Sequence, residues 1–190
     1  MNINISKEEA IAATQLWLEK AVIGLNLCPF AKAVHVKKQI RYVVSSASTP
    51  EDLLKDVLHE FEVLAESKPE KIETTLLIHP HVLTDFLDYN DFLEVVDAAL
   101  EDVELDGELQ VASMHPQYQF ADTEFNDITN YTNRSPYPTL HLLREASIDE
   151  AVAAFPEAEM IFEKNIETMQ KLGHEGWNAL GLAEVQRDKK

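Results

Sequence analysis

The chain has 190 residues, 45% hydrophobic and 26% charged, which suits one globular domain with its own core. Its 34 acidic residues outweigh 16 basic ones, and the formal net charge of -18 repels nucleic acid and anionic lipid at long range. No apolar run approaches the roughly 20 residues that span a bilayer, the start MNINISKEEA is too polar for a signal peptide, and one cysteine cannot form an internal disulfide. A cytoplasmic protein without nucleic-acid or membrane partners is expected.

Ser6-Lys7-Glu8-Glu9 has the S-x-x-E form of a capping box. It predicts a helix to about Leu25, with Ile11, Leu18, Val22 and Leu25 as one apolar stripe and Trp17 beside it. Gly24 and Asn26 suit its end. Cys28-Pro29 reads as a cap followed by proline at the first position of a short helix. IRYVVS at 40–45 is β-branched and aromatic, the first strand. Thr49 then caps a helix with Pro50 at its first position and Leu53, Leu54, Val57, Leu58, Phe61 and Leu64 at helical spacing.

ETTLLI at 73–78 is a buried second strand, and 84–103 is helical with a possible break near Tyr89-Asn90. Asp106-Gly107 turns the chain into ELQVASM, the third strand; TLHLLR at 139–144 is the fourth. Ser147-Ile148-Asp149-Glu150 repeats the capping-box pattern and opens a helix to about Phe155, and Pro156 starts another that ends near Gly173. No amphipathic period persists from His174, so one domain over 1–173 and a loosely ordered tail over 174–190 are expected. The order predicts an α/β domain with a four-stranded mixed sheet, three strands parallel and the fourth an antiparallel edge, covered by helices. A ferredoxin-like α+β split is the alternative.

The second strand ends in His79-Pro80-His81 and the third in His115-Pro116. Parallel strands would bring both histidines to one carboxyl edge, where open α/β sheets bind ligands. The stretch HPQYQFADTEFNDITNYTNRSPYP, 115–138, is longer than most loops in compact domains and carries the aromatic and amide composition that lines pockets. If the fourth strand is antiparallel, its start lies at the same edge and brings Arg134, from this stretch, and His141 close to it. Each has a plainer role: a strand-end histidine as a structural hydrogen-bonding group, loop aromatics as anchors, Arg134 as a surface ion pair. His35, His59 and His174 carry no functional weight.

The stretches GLNLCPFAKA, LLIHP with DFLDYNDFL, HPQYQFA and TNRSPYPTLHLLRE, with the closing helix, resemble a mostly bacterial family catalogued as domain of unknown function 1415. The resemblance spans nearly the whole chain and implies one compact domain; it brings no activity, substrate or cofactor. Its matching words contain Asn26, Cys28, His79, His115, Tyr118, Asn133, Arg134 and Tyr137.

Three readings follow. In a metal-dependent enzyme His79 and His115, with Cys28 or a carboxylate such as Asp122, would hold zinc or iron, although no H-E-x-x-H or C-x-x-C signature is present. In a metal-free enzyme Cys28 at a helix N-terminus would be the nucleophile, His79 or His115 the base, and Arg134 the anchor of a substrate anion. Asn26, Tyr118, Asn133 and Tyr137 would line the small-molecule site in either case. In a binding module the same edge, or the SSAST loop before a helix, would hold a small anion or nucleotide without reacting, in the absence of a Walker or G-x-G-x-x-G loop.

Overall fold

The computed structural model describes residues 5–155 and 158–182. Helix α1 (Lys7–Trp17) starts at the expected capping box: Ser6 accepts from the Glu9 amide, and the Glu9 side chain accepts from Ser6. It does not continue as an α-helix to Leu25. It widens into a π segment, Leu18–Ile23, with the i+5 bonds Gly24 N–H to Glu19 O and Leu27 N–H to Val22 O. The buried face is Ala10, Thr14, Trp17, Leu18, Ala21 and Val22: Leu18, Val22 and the neighbouring Trp17 are buried as the stripe predicts, while Ile11 and Leu25 are only half-buried. Asn26 then reverses the chain with φ 55, the left-handed conformation for which asparagine is suited.

Helix α2 (Ala31–Val36) begins after Phe30, so Cys28 is not its cap and Pro29 is not its first residue; residues 29–30 form a turn closed by Ala31 N–H to Cys28 O. Strand β1 (Ile40–Val44), helix α3 (Pro50–Glu66, capped by Thr49) and strand β2 (Thr74–Ile78) match the predicted elements within a residue. Helix α4 (Phe86–Asp102) runs unbroken through Tyr89-Asn90, because Tyr89 shares the buried stripe with Phe92, Val96 and Ala99. Strands β3 (Leu109–Met114) and β4 (Thr139–Arg144) follow. Helix α5 (Glu145–Ala154) starts directly from β4, so Ser147 lies inside it and forms no capping box. Helix α6 (Ile161–Ala179) kinks at Gly173 (φ 63, ψ 177) but resumes to Ala179, so 174–179 are helical rather than a tail. The expected start at Pro156 and the end RDKK lie outside the described residues.

The sheet order is β1-β2-β4-β3. β1 and β2 are parallel neighbours, while β4 is antiparallel to both β2 and β3. β4 is therefore antiparallel, as expected, but lies between two strands instead of at the edge. An ordinary β-α-β unit (β1–α3–β2) is followed by a split one (β2–α4–β3, with β4 inserted). The ferredoxin-like element is thus present in the second half only. β1, β2 and β3 all point one way, so His79 and His115 do leave the same edge.

Alternate residues serve two faces. Val43, Leu77, Val111, Leu140 and Leu142 join Leu53, Val57, Phe61 and Leu64 of α3 and Phe92, Val96 and Leu100 of α4 in the main core. Within this layer Arg41 makes a two-pronged ion pair with the buried Glu60, at 2.7 and 3.0 Å. The other face, with Ile40, Tyr42, Ile78 and Met114, is covered by α1 and the π segment. Among the described residues no helix is long and apolar enough to cross a membrane.

Candidate functional site

The start of β4 separates the two histidines. Met114 and Ile78 both lie opposite Thr139, so His79 and His115 stand two strand spacings, about 10 Å, apart. The His79 amide donates to Pro138 O and the His115 amide to Asn133 O. Both rings are fully buried and lie on the α4 face of the sheet. Tyr89 fills the gap between them, its ring centroid 5.7 Å from His79 and 5.0 Å from His115. Its hydroxyl closes the last rung of the β3–β4 ladder, accepting from Met114 N–H at 3.1 Å and donating to Thr139 O at 2.9 Å. Phe86, Tyr118 and Phe120 continue the aromatic run outward to Phe162 on α6.

Hydrogen-bond inventory fixes both tautomers. The Gln117 amide can only donate, so His115 Nδ1 is bare and its Nε2–H donates to Leu83 O. Val82 O can only accept, so His79 carries its proton on Nδ1. Burial pushes both imidazoles down to about 4, against the smaller opposing pull of the backbone carbonyls they donate to. Both are neutral at pH 7. His115 has no ring nitrogen left to use. His79 Nε2 is buried, bare, and has no hydrogen-bond partner among the described residues.

Arg134 is 4% exposed and directed into its own loop. Its Nε donates to Tyr118 O at 3.0 Å and its Nη2 to Phe125 O at 2.7 Å, while the guanidinium lies over the Phe125 and Tyr131 rings. Asn130, fully buried, does similar work: its Oδ1 accepts from Phe120 N–H and Thr123 Oγ1, and its Nδ2 donates to Glu124 O. The long stretch is thus a compact loop with a 3-10 turn, Ile128–Asn133, held against α6 through Tyr131 and Trp177.

The other expected site residues disperse. Asn133 Nδ2 reaches Ser113 O at 3.5 Å, and Tyr118 packs between Phe86 and Phe120. Tyr137 packs under α1 with Val44 and Ile78, its hydroxyl pushed up by burial and then by Glu9. Asn26 is exposed. Cys28 packs with Trp17, Tyr42 and Met114 on the face opposite the two histidines. It lies two residues before Phe30, the N-cap of the six-residue α2, and so outside the first turn in which a helix dipole acts.

The residues present do not fit a zinc or iron centre. His115 is saturated, the histidines are two strands apart, and among the described residues no three His, Cys, Asp or Glu side chains gather to hold an ion. An open cavity of about 830 Å3 lies at the opposite edge of the sheet, between Glu70, Glu73, Glu108, Arg144 and Glu150. There Arg144 is occupied with the carbonyls of Leu64, Ser67 and Ile72.

Sequence reasoning missed Tyr89, the centre of the edge. A polar aromatic residue in register with Phe92 and Val96 on a helical stripe was the available signal.

The fold and this edge define a single α/β domain with a mixed sheet and a buried, neutral histidine pair. The chain belongs to the family described as "Protein of unknown function (DUF1415)", whose model matches residues 9–179. Comparison with curated proteins and with solved structures gives no match.

Proposed function

We propose that the protein binds a small molecule at the carboxyl edge of its sheet, with His79 Nε2 accepting a hydrogen bond from a ligand O–H or N–H group. The supporting observation is the bare Nε2 itself. An unpaired buried acceptor costs about 1–3 kcal/mol, and native structures keep few of them. The aromatic run from Tyr89 to Phe120 supplies apolar, flat neighbours of the kind that line ligand sites. Binding without chemistry is favoured over a cysteine–histidine or metal mechanism. A general base works best with a pKa near the operating pH, and His79 is held well below it. Cys28 lies on the other face, His115 bonds a backbone carbonyl and a backbone amide, and Arg134 Nε and Nη2 donate to backbone carbonyls.

The test is a thermal-shift panel of small alcohols, amines, sugars, amino acids and nucleosides on the wild type and on His79→Asn. Asparagine keeps a donor near the Nδ1 position for Val82 O and deletes Nε2. A ligand at 100 times its Kd raises stability by about 2.7 kcal/mol, or about 5–10 °C in a chain of this length. The reading expects at least one class to raise the wild-type Tm and to lose that effect in His79→Asn. A panel that leaves the wild type unmoved, or moves both alike, overturns it.

A further inference from the structure

The opposite face of the sheet carries a second set of unspent polar groups. Trp17 is 2% exposed and, among the described residues, its buried Nε1–H has no partner and neither has the buried Tyr42 hydroxyl. Both side chains pack in one cluster with Ala21, Val22, Cys28 and Met114. Two orphan donors in one apolar cluster are costly, since each lacks the bond it makes in water.

An acceptor stands on the same face. Thr74 Oγ1 lies 2.6 Å from Leu142 O and 2.8 Å from His141 Nε2. A contact of 2.6 Å between two oxygens requires the threonine proton. That proton is therefore spent on Leu142, and His141 must donate from Nε2. This leaves His141 Nδ1 as a bare lone pair with no hydrogen-bond partner among the described residues. Tyr42 and His141 share one row across the sheet: Tyr42 is opposite Leu76, and Leu76 is opposite His141. Two strand spacings, about 10 Å, separate their backbones, and the row ends in the small Ala112, opposite His141.

The roof is also unusual. The cluster lies beneath the π segment, Leu18–Ile23, and π geometry is rare and frequent at functional sites. It persists here because Gly24 permits it: a Cβ on Gly24 would lie 2.3 Å from Lys20 O.

We infer that this face, beneath the π segment, is a second ligand site that takes a small neutral molecule bearing a carbonyl oxygen and an N–H group, the pattern of an amide, lactam or nucleobase ring. Tyr42 and Trp17 donate to the oxygen, and His141 Nδ1 accepts from the N–H. An anionic ligand is disfavoured, because the cluster around Trp17 and Tyr42 is apolar and the charge that acts on Tyr42 is the Glu19 carboxylate. The site is independent of the carboxyl-edge reading and shares no side chain with it.

The test follows the Trp17 indole N–H resonance in 15N-labelled protein, assigned by comparison with Trp177→Phe, during titration with 2-pyrrolidone, nicotinamide and uracil. The expected result is a saturable movement with at least one probe. Tyr42→Phe and His141→Gln each weaken it about ten-fold, the loss of one hydrogen bond, while His79→Asn leaves it unchanged. Tyr42→Phe deletes only an unpaired hydroxyl, so it melts no lower than the wild type and remains a valid test. Glutamine at 141 keeps a donor for Thr74. Absence of saturable movement with all three probes to tens of millimolar overturns the inference, as does a movement that either substitution leaves unchanged or that His79→Asn abolishes.

Discussion

His79 donates its Nδ1 proton to Val82 O at 3.0 Å, and this one bond decides that the other ring nitrogen faces the interior bare. Across β4, His115 holds the opposite tautomer, saturated on both sides. Two strand-end histidines with the same His-Pro spelling thus have different capacities. One has finished its hydrogen bonding and the other has not.

The histidines make the fold sensitive to acid. His79, His115 and His141 are each lowered from 6.5 to about 4, foremost by burial. The unfolded chain therefore binds more protons than the folded one between those values. Stability is complete above about pH 6.5 and falls as pH drops toward 4, by roughly 1.4 kcal/mol per pH unit for each histidine. Asp85 offsets part of this at His115, and Arg134 adds to it. Urea midpoints should hold from pH 7.5 to about 6.5 and then fall toward 4.5, and His115→Gln should flatten that fall. A flat profile contradicts the buried neutral assignment.

Arg134→Lys should cost about 2 kcal/mol. A lysine cannot donate to Tyr118 O and Phe125 O together while stacking on Phe125 and Tyr131. Hydrogen exchange should rise across 118–134 first, because those carbonyls lie within the loop. Unchanged exchange there would remove Arg134 from its clamping role.

Tyr89→Phe should cost about 1–3 kcal/mol despite preserving the ring. The Met114 amide loses its acceptor, and the last rung of β3–β4 opens. Amide exchange at Met114 is the readout, with Leu109 at the far end of the strand as control.

Gly24→Ala should destabilise strongly, by about 2 kcal/mol or more, although alanine normally favours helices. The added methyl meets backbone at Lys20 and no mobile side chain. Gly107→Ala is the comparison: its φ of 82 strains any side chain, but the space around it is open. Circular dichroism melts separate the two.

Local chemistry was legible from the sequence: the capping box at Ser6, Thr49-Pro50, the β-branched strands and the His-Pro exits all stand where residue types place them. What failed depended on partners far along the chain. The insertion of β4 between β2 and β3 is a pairing choice that no local signal carries. The S-x-x-E pattern at Ser147 lost to a helix already begun at Glu145, whose amide bonds Glu108 O. Arg134 looks like a surface cation in sequence and becomes a buried clamp only because its loop wraps around it. Cys28 and the histidines, adjacent in importance by motif, are separated by the sheet itself.

The most direct test of the carboxyl-edge site is the side-chain 15N spectrum of His79 at pH 7, recorded free and with each class of the small-molecule panel. The account predicts a neutral ring protonated on Nδ1, with an Nε2 resonance that starts as a bare lone pair and shifts on adding the class that stabilises the protein. An imidazolium, an Nε2–H tautomer, or an Nε2 that no class moves would contradict it.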